Sequence, residues 1–109
     1  MTYRLEGVFT AIADPSRRRM LDYLAETDMT AGELAERFAM SRPAVANHLR
    51  ILEANGLVTV PPRGRERIHR LTPTPLLEIR DWLARYDRFW DDRLGVLKGL
   101  VESYDGEDD

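Results

Sequence analysis

Residues 34–58 read Leu34-Ala35-Glu36-Arg37-Phe38-Ala39-Met40-Ser41-Arg42-Pro43-Ala44-Val45-Ala46-Asn47-His48-Leu49-Arg50-Ile51-Leu52-Glu53-Ala54-Asn55-Gly56-Leu57-Val58. Ser41 stands where an N-cap belongs, because its hydroxyl can accept an orphan N–H of a first helical turn. Helix-forming sequence then runs to Asn55, and Gly56 supplies the left-handed residue that commonly ends a helix. On a wheel of about 100° per residue, Val45, Leu49 and Leu52 fall within about 60° and face a core. Pro43, Asn47, Arg50 and Ala54 lie opposite, with Arg42 and Ala46 flanking them. The outward face near the helix start is therefore small or hydrogen-bonding, as a helix entering a DNA major groove about 12 Å wide requires. Asn47 can pair adenine bidentately, and Arg42 can pair guanine or clamp a phosphate. Backbone donors at the helix start, beside Ser41, suit a phosphate. Arg50 lies farther along and is assigned to the DNA backbone. An ordinary amphipathic helix with a solvated polar face would show the same wheel.

Upstream, Leu5, Val8, Phe9 and Ile12 recur at helical spacing. Asp14-Pro15 closes that helix and opens a second, whose apolar face is Met20, Leu21 and Leu24. Thr30-Ala31-Gly32-Glu33 fits a capping box, so a third helix starts at Thr30 and stops near Ala39-Met40. Downstream, residues 57–60 and 67–71 read as two short strands around the basic hairpin Pro61-Pro62-Arg63-Gly64-Arg65-Glu66. Thr72-Pro73-Thr74-Pro75 breaks the chain again. A long helix follows from residue 76 to about 104, roughly 28 residues and about 42 Å. The order gives a mainly α fold with a small β-hairpin: a winged helix-turn-helix with a long C-terminal dimerisation helix. One domain spans 1–104, with the wing over about 57–71, and residues 105–109 form a disordered acidic tail.

Charge is segregated along the chain. The formal net charge of −3 over 109 residues argues mildly against a nucleic-acid partner. Yet residues 37–70 carry seven arginines against Glu53 and Glu66, a net +5. Residues 76–109 carry five basic and ten acidic groups, a net −5. A basic middle beside an acidic end is the footprint of a domain that turns one side to DNA. Within the wing, Arg63, Arg65 and Arg67 alternate around Gly64, and alternate residues of a strand share a face. Such a tip can lie along a phosphate backbone or enter the minor groove; a solvated turn is the plainer alternative.

Composition excludes much. At 43% hydrophobic and 32% charged the chain has enough apolar material to fold. Cysteine is absent, which removes disulfides, thiolate metal sites and cysteine nucleophiles. The longest stretch without Asp, Glu, Lys or Arg runs from Ala54 to Pro62, far short of a membrane span. No basic-then-apolar leader opens the sequence, so the cytoplasm is the expected compartment and no membrane partner is expected. No Gly-rich phosphate loop and no Ser/His/Asp set points to an enzyme, and no cofactor is implied.

Two stretches carry a resemblance. Asp14-Pro15-Ser16-Arg17-Arg18-Arg19-Met20-Leu21 resembles the opening motif of the ArsR-type winged-helix repressors, and residues 34–58 are similar to that family's helix-turn-helix almost position by position. The wing Arg63-Gly64-Arg65 also fits, and the resemblance covers roughly residues 3–100. It implies a homodimeric transcriptional regulator, usually a repressor, on an inverted-repeat double-stranded DNA operator. The family's base-reading positions fall on Arg42, Pro43, Ala46 and Asn47, in agreement with the wheel. The run from Asp81-Trp82 to Phe89-Trp90-Asp91-Asp92-Arg93-Leu94 looks like a metal-free branch. Members that sense metals carry a Cys motif on the third helix, where this chain has Met29-Thr30-Ala31-Gly32-Glu33-Leu34. Others place Asp and His on the last helix, which has no His here. His48 and His69 are the only histidines and lack paired ligand spacing.

The last helix carries Ile79, Leu83, Tyr86, Trp90, Leu94, Leu97 and Val101 at spacings of three and four, with Trp82 and Phe89 as a second stripe. A helix of about 42 Å overhangs a domain whose radius of gyration is about 13 Å. Such an apolar surface suits a two-fold dimer through the first and last helices, with Leu5 and Phe9 contributing from the first. The alternative is that Trp82 and Phe89 fold back on the first helix. Two-fold pairing would set the recognition helices about 34 Å apart, one DNA turn. Two other readings stay open: a winged helix that binds protein instead of DNA, and a metal- or ligand-responsive sensor of the same fold.

Overall fold

Four carbonyls at the end of the first helix decide how the chain turns. Helix α1 (Leu5–Ala13) buries Val8 and Ala11, and its last carbonyls have no partner within the helix. Arg17 donates to Thr10 O (2.9 Å) and Ala11 O (2.6 Å), while Arg18 donates to Ile12 O (2.7 Å) and Ala13 O (3.0 Å). Two cations thus cap the negative end of the α1 dipole. Helix α2 (Pro15–Glu26) begins as expected, with Asp14 as N-cap and Pro15 in the first turn. The Asp14 carboxylate accepts the Arg17 N–H at 3.0 Å, and this bond above all lowers its pKa.

The computed structural model describes residues 5–63 and 65–90, the side chains of residues 62 and 63 apart. After α2 come β1 (Met29–Thr30), α3 (Ala31–Ala35), α4 (Arg42–Ala54), β2 (Val58–Thr59), β3 (Pro62–Arg63), β4 (Glu66–Leu71) and α5 (Leu76–Ala84). Thr30 ends β1 and caps α3: Glu33 N–H donates to its hydroxyl at 3.1 Å, and its own N–H donates to Glu33 Oε1 at 3.0 Å. The capping box is therefore present. Helix α3 stops short of the expected Ala39-Met40. The chain tightens into bonds from Arg37 N–H to Leu34 O (2.9 Å) and Phe38 N–H to Ala35 O (3.3 Å). That tightening accompanies an edge-on contact of Phe38 with Tyr23 at 5.8 Å, with Arg19 over Phe38 and Arg37 over Tyr23. Aromatic and cation–π contacts of this kind contribute about 0.5–1.5 kcal/mol each.

Strand β4 is the spine of the sheet. Val58↔Leu71, Thr59↔Arg70, Pro62↔Arg67 and Arg63↔Glu66 hold one antiparallel register, so β2 and β3 are a single hairpin arm. The arm is interrupted at Val60-Pro61, where successive prolines have no N–H to give. On the other edge β1 pairs Met29↔His69 and Thr30↔Ile68, a two-residue strand too short for any alternation to announce. The core gathers Val8, Met20, Leu34, Val45, Leu52, Leu57 and Val58, all at most 1% exposed.

The chain divides into two compact units, Met1–Ile79 and Arg80–Asp109. In the first, Leu76 and Ile79 are half-buried against the core. The continuous helix expected over 76–104 is interrupted. Helix α5 ends at Ala84, and Arg85 and Tyr86 make tighter bonds to Trp82 O (3.2 Å) and Leu83 O (2.9 Å) before helix resumes over 87–90. The tightening accompanies ring contacts of Tyr86 with Trp82 (5.5 Å) and Phe89 (6.3 Å). Leu94, Leu97, Val101 and the acidic tail lie outside the described residues, and no described helix is long and apolar enough to cross a membrane.

Candidate nucleic-acid interface

Helix α4 is fixed at both ends by its own sequence. Ser41 Oγ accepts the Ala44 N–H at 3.2 Å, and Gly56 takes φ 75°. Gly56 N–H donates to Glu53 O and Leu57 N–H to Leu52 O, both at 3.0 Å, which is the paired closure of a Schellman motif. Val45, Leu49 and Leu52 are buried, and Ser41, Arg42, Pro43, Ala46, Asn47 and Arg50 are exposed. The wheel's division into inner and outer faces is the division in the fold.

Two details sharpen the outer face. Arg50 Nη2 donates to Asn47 Oδ1, so the amide is oriented by its neighbour one turn on. A base-pairing Asn47 would have to share or release that oxygen. The Arg42 guanidinium lies beside the start of α3, where a methyl added to Gly32 would come within 3.4 Å of its Nη2. Its head is at the shoulder between α3 and α4, a position suited to a phosphate.

On the wing, Arg65 and Arg67 are exposed, and Arg63 lies in β3 opposite Glu66. The Arg63 side chain and Gly64 fall outside the described set. Arg70, counted among the basic residues of the segment, is engaged with Asp28 at 3.0 Å. Between α4 and β4 an open cleft of about 770 Å³ is lined by Ala46, Leu49, Arg50, Glu53, Arg67 and His69, among others. His69 is 7% exposed, and its buried Nδ1 has no partner among the described residues. Burial holds its pKa below the usual 6.5, with the Arg67 charge acting the same way against hydrogen bonding to Met29 and the charge of Glu53.

Sequence reasoning missed one participant. Arg17 Nη1 lies 3.2 Å from His48 Nδ1, which ties α2 to α4 across 31 residues. No local pattern signals that contact. Among the proposed dimer residues, Leu5, Phe9, Ile79 and Trp82 are half-buried, while Leu83, Tyr86, Phe89 and Trp90 are 39–49% exposed. Leu77, 45% exposed, was not anticipated. The chain has no cysteine, His48 faces a guanidinium, and among the described residues no three candidate metal ligands cluster.

The comparisons agree with this architecture. Residues 12–61 match a helix-turn-helix domain family. Over 108 residues, 98% of this chain and 97% of the relative, the sequence is 39% identical to the HTH-type transcriptional regulator Rv2034 of Mycobacterium tuberculosis. It is 37% identical over 82 residues to the transcriptional repressor SdpR of Bacillus subtilis, covering 75% of this chain and 91% of that one. The crystal structure of an ArsR family transcriptional regulator superimposes with a TM-score of 0.72 at 34% identity, covering 80% of this chain and 96% of that chain. With its capped outward helix, its hairpin wing and these relatives, the chain belongs to the ArsR family of winged helix-turn-helix transcriptional regulators.

Proposed function

We propose that the protein is a homodimeric repressor reading an inverted-repeat operator, with α4 in the major groove and the wing on the backbone or in the minor groove. The observation that carries it is the exposed run Ser41, Arg42, Pro43, Ala46, Asn47 and Arg50 on a helix whose opposite face is fully buried. Asn47 and Ala46 read bases, Arg42 and Arg50 hold the backbone, and the Arg63-Gly64-Arg65 tip with Arg67 adds phosphate contacts. A helix that docked on protein would carry apolar anchors there, and this one carries Arg, Asn and Ala. Two copies pair through α1 and the last helix, using Leu5 and Phe9 with Ile79, Trp82, Leu83, Tyr86, Phe89, Trp90, Leu94, Leu97 and Val101. The exposed Leu83, Tyr86, Phe89 and Trp90 support that pairing. The cytoplasm is the compartment such a regulator requires.

The test is selection of bound fragments from a random DNA pool at stated salt. A palindromic consensus with half-sites about one turn, 34 Å, apart is expected. Asn47→Ala should then lose about 1–3 kcal/mol on that consensus and relax preference at one base pair in each half-site. A pool that yields no consensus refutes the reading.

A further inference from the structure

One guanidinium joins three helices. Arg17 sits in the first turn of α2, gives Nε and Nη2 to carbonyls of α1, and brings Nη1 to within 3.2 Å of His48 on α4. We infer that Arg17 is a positioning residue for DNA recognition, setting the seat of α4 against α1 through His48. A guanidinium has five donors and no acceptor. His48 Nδ1 must therefore accept, which leaves the proton of a neutral ring on Nε2. The fork is planar and its N–H directions are fixed, so the carbonyls of Thr10 and Ala11 and the His48 ring are held in one mutual arrangement. The Asp14 carboxylate, bonded to the Arg17 N–H, keeps the base of that fork in place. His48 is adjacent to Asn47 and two residues from Ala46, so a displacement at His48 moves the outward face as a unit. Helix α1 also carries Leu5 and Phe9, so the same contact links the pairing helix to the reading helix. The inference rests on α4 reading DNA, as proposed above.

The test uses the full chain with the selected consensus duplex and a scrambled duplex. His48→Leu, His48→Asn, Arg17→Gln and the Arg17→Gln/His48→Leu double variant are compared, with thermal unfolding of each. His48→Leu should lower consensus affinity about tenfold and leave scrambled-duplex affinity within about twofold, since phosphate charges are untouched. His48→Asn, which restores an acceptor near the Nδ1 position, should recover most of the loss. The double variant should bind no more weakly than Arg17→Gln alone. Equal losses on both duplexes would make His48 a phosphate contact and overturn the inference. Additive losses, or a folded His48 ring found by nitrogen NMR to carry its proton on Nδ1 in the neutral state, would overturn it as well. Wild-type protein that binds both duplexes equally defeats the DNA-reading role itself, before any variant is compared.

Discussion

Acidification from pH 7.5 to 5.5 should weaken the fold through His69. This ring is 7% exposed between β4 and its neighbours, and burial, aided by the Arg67 charge, favours the neutral form over the opposing influence of Met29 and Glu53. The folded state therefore binds fewer protons than the unfolded chain, in which the ring titrates near 6.5. Stability from this source is fully present above that value and falls as the pH drops through it. If the folded ring takes no proton, the loss one unit below 6.5 is RT ln(1 + 10), at most about 1.4 kcal/mol. With a urea slope of about 1–3 kcal/mol per M, the midpoint moves down by roughly 0.5–1.4 M. The Asp14 and Glu33 carboxylates have lowered pKa values and ordinary ones of 3.8 and 4.5, so both stay ionised across this window. The assay is urea unfolding of wild type and His69→Phe at the two pH values. His48 is common to both proteins, so the difference between them isolates His69. An equal midpoint shift in the two proteins would refute the reasoning.

Three further outcomes are expected. Arg63→Ala with Arg65→Ala should weaken binding to every duplex and flatten the salt dependence by about one unit of slope per lost phosphate contact, read from titrations at several salt concentrations. Trp90→Glu, at a site already 49% exposed, should give monomer in sedimentation while leaving the first unit folded; a retained dimer would reject the pairing surface. Thr30→Ala removes one hydroxyl from the capping box and should cost about 0.5–2 kcal/mol in thermal unfolding.

Legibility in the sequence followed sequence distance. Asp14, Thr30 with Glu33, Ser41 and Gly56 each act on main chain within five residues, and each was readable where it stood. The inner and outer faces of α4 were equally plain, because a helix carries its periodicity in one short window. What escaped notice was long-range. The second edge of the sheet depends on a pairing between Met29 and His69, and Arg70 is drawn away by Asp28 across 42 residues. Ile68 and His69 are consecutive and both buried, so the alternation expected of a one-sided hairpin is missing. The Arg17 link to His48 likewise joins two segments whose own patterns are complete without it.

The broken hairpin arm bears on how this protein behaves at high concentration. An outer strand with a full row of free N–H groups is a template for a stranger's strand, and a chain with a protruding hairpin offers one. Here one outer strand is only Met29–Thr30, and the other is interrupted at Val60-Pro61. Neither can seed a continuous ladder with another molecule. An arm broken in this way gives a second copy of the chain no unbroken row of N–H groups to pair with.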